Sequence, residues 1–90
     1  MKIFNQDRWN LLSDELKVAV ACRYCAIPYF SNLVVQTGLP TMRVLSALNG
    51  LNDLGRLKEE WQSVDRRWVK VFRYDGIDNE FIDIIIEELA

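Results

Sequence analysis

Apolar residues recur along this chain with two different periods, and the change from one to the other organises it. From Ser13 to Leu54 they fall at helical separations; from Leu57 to Tyr74 they alternate as in strands; beyond Asp78 the helical spacing returns. Ser13 is placed to cap a helix, with Asp14 and Glu15 in its first turn complementing the helix dipole. Residues 16–27 are then apolar nearly all round, broken only by Lys17 and Arg23, which predicts a central, buried helix halted by Pro28. Pro28-Tyr29-Phe30 reads as extended chain. Ser31 is expected to cap a short helix over 32–37, with Leu33 and Val34 or Val35 pointing inward and Gly38 as its stop.

Pro40 sits where a first-turn proline is tolerated, so a third long helix is expected over about 40–54. Val44, Leu48 and Leu51 share one of its faces, and Gly55 can end it in the left-handed conformation. A helix entered through a tight turn, with short polar residues opposite its apolar stripe, has the shape that fits a DNA major groove. Residues 57–64 and 67–74, rich in Trp, Val, Phe and Tyr and separated by Asp65-Arg66, predict a β-hairpin. In its second run Trp68, Lys70, Phe72 and Tyr74 alternate with Val69, Val71 and Arg73, so both faces are partly apolar. Asp75-Gly76 turns the chain and Asp78 is expected to cap a last helix. Residues 1–12, with Phe4, Trp9, Leu11 and Leu12, read as an irregular arm or a short helix packed on the core. The fold class expected is α+β, mostly helical, in one domain: an arm over 1–12, a core over 13–75 and a C-terminal helix over 77–89.

Ninety residues leave room for one core, and 50% hydrophobic residues with three Trp argue for a folded globule. No apolar run approaches a membrane span and the first residues lack a signal-peptide pattern, so a soluble, cytoplasmic protein is expected. The net charge of −2 hides an asymmetry: residues 40–74 carry seven Lys/Arg against four acids, whereas 75–90 carry six acids and no base. A basic middle beside an acidic tail suits a polyanion-facing surface on one side only. Cys22-Arg23-Tyr24-Cys25 raises metal or redox chemistry, yet the chain has no His and no third Cys to complete a site. Both thiols fall on an apolar helix, where Cys behaves as a small hydrophobe. Without His, the usual triads and most general-base arrangements are excluded, and no glycine-rich phosphate loop occurs; neither an enzyme nor a cofactor is expected.

The order of elements and the 38–57 stretch resemble winged helix-turn-helix proteins, especially small ArsR-like and MarR-like transcriptional regulators. The resemblance covers roughly residues 13–75. It rests on Ser31-Asn32-Leu33 opening the first motif helix, Thr37-Gly38-Leu39 as the turn, and Val44, Leu48 and Leu51 beneath the recognition helix. Leu54-Gly55-Arg56-Leu57 leads into the wing, and Arg66-Arg67-x-Val69-x-Val71-Phe72-x-Tyr74 returns from it. The resemblance implies a sequence-specific regulator that holds double-stranded DNA as a homodimer. Its reading face would use Thr41, Met42, Arg43, Ser46 and Asn49, with Ala47 and Gly50 alongside. Arg43 is suited to guanine, Asn49 to adenine, and Thr41 or Ser46 to phosphate. Arg66 and Arg67 would anchor the wing, with Lys58, Lys70 and Arg73 on phosphates. The stripe Phe81, Ile82, Ile85, Ile86 and Leu89 of the last helix, with Ile84 outside it, either packs on its own domain or, as the resemblance implies, forms a two-fold interface with a second copy. Against DNA stand Asp53 at the end of the reading helix and Glu59 and Glu60 on the first wing strand. A winged helix that binds protein instead is the alternative, since such domains also serve as interaction modules.

Overall fold

A computed structural model describes residues 5–76 and 78–90. The expectations placed on Phe4 and on the first residue of the 77–89 segment lie outside that range. The described chain forms α1 (Gln6–Asn10), α2 (Asp14–Tyr24), α3 (Phe30–Thr37), α4 (Thr41–Asp53), β1 (Leu57–Val64), β2 (Arg67–Tyr74) and α5 (Asn79–Leu89). This is a small α+β domain of five helices and one two-stranded antiparallel sheet. No helix among the described residues is long and apolar enough to cross a membrane.

Helix α2 is the hub. Ser13 accepts a hydrogen bond from the Leu16 amide at its N-terminus, and Val18 through Cys22 are all buried, which no one-sided amphipathic helix would manage. Helices α3, α4 and α5 and strand β2 all pack around it. The helix ends at Tyr24, three residues before its expected end. Beyond it the chain turns extended, because Tyr29 bridges Val71 and the Pro28 carbonyl accepts from the Phe72 amide at 2.9 Å. Pairing to β2 across the domain thus overrides the apolar run through Ile27. The same bridge places Tyr29 at the N-cap of α3, so Ser31 lies inside that helix and caps nothing.

The turn between α3 and α4 is tightly held. Gly38 adopts φ 72°, a left-handed value that glycine takes at no steric cost, and its amide closes on the Val34 carbonyl at 3.1 Å. Thr37 Oγ1 donates to the Leu33 carbonyl and accepts from the Leu39 amide. The Thr37 carbonyl in turn receives Trp9 Nε1 at 3.3 Å, which fastens α1 to this turn through a buried indole. Leu11, by contrast, stays in solvent. Leu39 goes into the core, and α4 leaves at an angle fixed by these bonds.

The hairpin has the expected bounds, with Leu57 opposite Tyr74 and Val64 opposite Arg67. Asp65 and Arg66 form its two-residue turn at φ 51° and 66°. Both central residues of such a turn must take left-handed backbone, the reason Asn-Gly is favoured there. Arg66 instead accepts a conformation that costs a residue with a Cβ about 1–2 kcal/mol.

At the base of the hairpin, Arg56, Tyr74 and Asp78 tie the end of α4, the end of β2 and the start of α5 together. Arg56 Nη1 donates to Tyr74 Oη and to Asp78 Oδ2, and Tyr74 Oη donates to Asp78 Oδ1 at 2.6 Å. Asp78 occupies the N-cap position but offers no side-chain cap, its carboxylate being taken by this triad. The Tyr74 hydroxyl, followed by Arg56, holds the Asp78 carboxyl below the ordinary aspartate range. Hydrogen bonds from Arg43 and Arg23 do the same to Asp14 and Asp83. A carboxyl lowered in the folded state adds stability above the unfolded aspartate value near 3.9, and that contribution is lost as pH falls through the lowered value. The urea midpoint is therefore expected to be flat from neutral pH to about pH 5 and to fall below about pH 4. Asp78→Asn should flatten that fall.

Candidate nucleic-acid interface

The exposed side of α4 is built by subtraction. Val44, Ala47, Leu48 and Leu51, at separations of three and four, turn into the core and are all buried. Ala47 therefore belongs beneath the helix and not on its exposed face, while Leu45, 42% exposed, takes a place there that the apolar stripe concealed. At about 100° per residue the outermost line of α4 is Met42, Ser46, Asn49 and Asp53, all exposed. Thr41 is exposed at the N-terminal end. No cation lies on that line. Gly50 is turned toward α2, where a Cβ would stand 2.6 Å from Glu15 Oε1, so its lack of a side chain admits that carboxylate rather than DNA.

Arg43 also turns toward α2. Its Nε donates to Asp14 Oδ2 at 2.8 Å and its Nη2 to Asp14 Oδ1 at 2.6 Å, a two-point pair along one side of the guanidinium. The pair leaves Nη1 and the second N–H of Nη2, which form the other donor edge of the group, without an acceptor among the described residues.

The hairpin's register divides the remaining candidates between its two faces. Leu57, Glu59, Trp61 and Ser63 share a face with Trp68, Lys70, Phe72 and Tyr74. At its base this face borders a groove shared with α4, lined by Leu45, Asn49, Asn52, Glu59, Lys70 and Phe72. Lys58, Glu60, Gln62, Arg67, Val69 and Arg73 lie on the opposite face, which looks toward Tyr29 and the α2–α3 connection. Lys58 and Arg73 are thus turned away from α4 and cannot join a ligand in its groove. Arg73 reaches Gln62 Oε1 at 2.9 Å and the Ala26 carbonyl at 3.4 Å.

Carboxylates close most of these cations. Lys58 and Arg73 both lie within 4 Å of Glu60, Lys70 lies 3.4 Å from Glu59, and Arg43 is held by Asp14. Arg66 and Arg67, at the far end of the hairpin, have neither an ion pair nor a hydrogen bond among the described residues. The free positive charge of this side is concentrated at the hairpin tip. Sequence reasoning found those two residues from their place between the strand runs; it had no signal for the acids that neutralise the others, because each partner except Glu60 to Lys58 is brought near by folding.

On α5, Ile82 and Leu89 are buried to 1% and 2% exposure in the protomer's own core. They have no surface to offer a second copy, which corrects their place in the expected two-fold interface. Ile85 and Ile86 pack half-buried against the same core, and the outward apolar residues are Phe81 and Ile84. Asp83 between them pairs with Arg23 of α2.

Cys22 lies in the buried stretch of α2, and Cys25 is the C-cap residue just beyond it, where the chain turns extended. Cys22 is buried and Cys25 half-buried, and neither is disulfide-bonded. Desolvation pushes the Cys22 thiol up to about 12 and raises that of Cys25, so both are neutral thiols at pH 7. No group of three or more Cys, Asp or Glu side chains among the described residues converges to hold a metal ion. A disulfide-exchange reagent is expected to label Cys25 slowly and Cys22 only after unfolding; two rapidly labelled thiols in native protein would contradict this packing.

Comparison with family models, with curated proteins and with solved structures returns no match, so any reading of this surface rests on its own residues and geometry.

Proposed function

We propose that the domain is a winged-helix module that binds double-stranded DNA, with α4 in the major groove and the β1–β2 hairpin as the wing. The observation that carries this reading is the hairpin tip. Arg66 occupies a backbone conformation that favours Gly or Asn, and it stands beside Arg67 with both guanidiniums unpaired among the described residues, whereas the other cations of this side are closed by carboxylates. Backbone strain kept at the point where charge is most exposed suits a contact with phosphate. Ser46, Asn49 and Thr41 supply the short polar face of α4, with Asn49 matched to adenine and the free edge of Arg43 to guanine. A two-fold dimer, formed through Phe81 and Ile84 on the outer edge of α5, would present two such helices to half-sites about one helical turn apart.

The test is a salt-dependent binding titration on duplex DNA. Arg66→Ala with Arg67→Ala is expected to weaken binding uniformly across sequences and to lower the salt slope by about 2, one for each phosphate no longer neutralised. An unchanged slope would remove the wing from the interface. A second reading, in which the same surface binds protein without DNA, is favoured by one observation: Met42, 72% exposed, and Leu45 bring apolar surface to α4 between Asp14–Arg43 on one side and Glu59–Lys70 on the other, both charge-neutral pairs.

A further inference from the structure

Two of the three tryptophans are in solvent, and they are neighbours. Trp61 is 65% and Trp68 70% exposed. Trp61 pairs with Lys70 and Trp68 with Ser63, so the indoles occupy one diagonal of a single hairpin face, with backbones roughly 7–8 Å apart. Packing of the hairpin explains neither: the side chains of this face that reach the domain are Leu57, Phe72 and Tyr74, at its base. Lys70 Nζ stands 5.9 Å from the Trp61 ring centroid, and Ser63, small and polar, leaves the face around Trp68 uncovered. Beyond the indoles lies Arg66 of the turn, with Arg67 next to it on the opposite face, and neither has an ion pair or hydrogen bond among the described residues.

We infer that this face is a stacking platform for unpaired bases of a single-stranded nucleic acid. Flat aromatic rings on a sheet surface accept the π-face of any base, and cations along the same strand pair follow its phosphates. Charge complementarity selects this occupant over an apolar peptide. The platform ends at Arg66 of the turn, which has no acidic partner among the described residues, and the nearest carboxylate on its own face, Glu59, is held by Lys70 at 3.4 Å. The site is built from the hairpin alone and does not require the duplex contacts of α4. A strand leaving the end of a duplex could run from α4 across Trp61 and Trp68, placing a junction between paired and unpaired DNA over the groove. The expected preference is weak in sequence and strong in strandedness.

The experiment is a fluorescence titration of the full chain with an oligothymidylate of about ten nucleotides, beside a blunt hairpin duplex. Stacking is expected to quench the two exposed indoles and leave the emission of buried Trp9, and the apparent affinity should fall with added salt. Trp61→Ala with Trp68→Ala is expected to weaken oligothymidylate binding roughly ten- to hundredfold. Both sites are exposed, so far-UV dichroism and Trp9 emission should be unchanged. Duplex affinity should change less than about threefold, since α4 and the arginines remain. Oligothymidylate that binds without a duplex response would retain this inference and remove the proposed function. Duplex binding without quenching by the oligonucleotide would do the reverse. The inference also fails if the parent chain self-associates and the double variant is monomeric, because the indoles then face a second copy.

Discussion

Ile82→Ala is expected to destabilise the domain by about 3 kcal/mol, and the loss should be independent of protein concentration. Ile82 is 1% exposed and belongs to the cluster formed with Val18, Leu33, Val44 and Leu48, with α5 packed on α2. Truncation removes transfer free energy and leaves a cavity that two packed helices cannot close. For a domain whose total stability is of order 5–15 kcal/mol this is a large fraction, and the thermal midpoint should drop by roughly 10–20 °C. The contrast lies two residues on. Ile84 is 53% exposed, so Ile84→Glu should barely change the urea midpoint of the protomer. If the outer edge of α5 forms the two-fold contact, that variant should lower the solution mass instead. Concentration-dependent unfolding of Ile82→Ala, with a normal protomer in Ile84→Glu, would return Ile82 to the interface from which the structure removes it.

The same helix shows what an apolar pattern can and cannot convey. Phe81, Ile82, Ile85, Ile86 and Leu89 read as one stripe; four of them pack on the protomer's own core and Phe81 alone stands at the margin in solvent. Periodicity locates a face; it does not say which neighbour the face meets. The bounds of the hairpin were legible to the residue, because a change of period and a two-residue polar link are both local signals, whereas its register was not, since both faces are partly apolar. The end of α2 was not, since the strand-like pairing of Tyr29 with Val71 joins positions more than forty residues apart. On α4, Leu48 and Leu51 were readable as core, whereas Ala47 was not, because a small residue gives no hydrophobic signal although it falls on the same face. The charges were the least legible part. Asp14 looked like a helix-dipole residue and Arg43 like a free reader; only the packing of α2 on α4 joins them.

That pair gives the second large effect, and it separates two roles by the sign of the change. Asp14 takes the Nε and Nη2 side of Arg43, and the remaining edge of the guanidinium presents two parallel N–H groups, the pattern that matches guanine O6 and N7. If α4 reads DNA, Asp14 is a positioning residue that aims this edge before binding and so reduces the side-chain ordering the complex must impose. Arg43→Ala is then expected to weaken a cognate duplex roughly five- to hundredfold and to relax the preference at one base pair. Asp14→Asn should also weaken the cognate site, by up to about tenfold, while strengthening unrelated duplexes through the loss of one negative charge near the phosphates. Specificity would fall from both ends. A mask predicts otherwise: if Asp14 merely neutralises Arg43, Asp14→Asn strengthens cognate and unrelated DNA alike. In that case Arg43→Ala leaves base preference untouched. Parallel titrations of the two variants on matched and mismatched duplexes, at one salt concentration, decide between an aimed arginine and a silenced one.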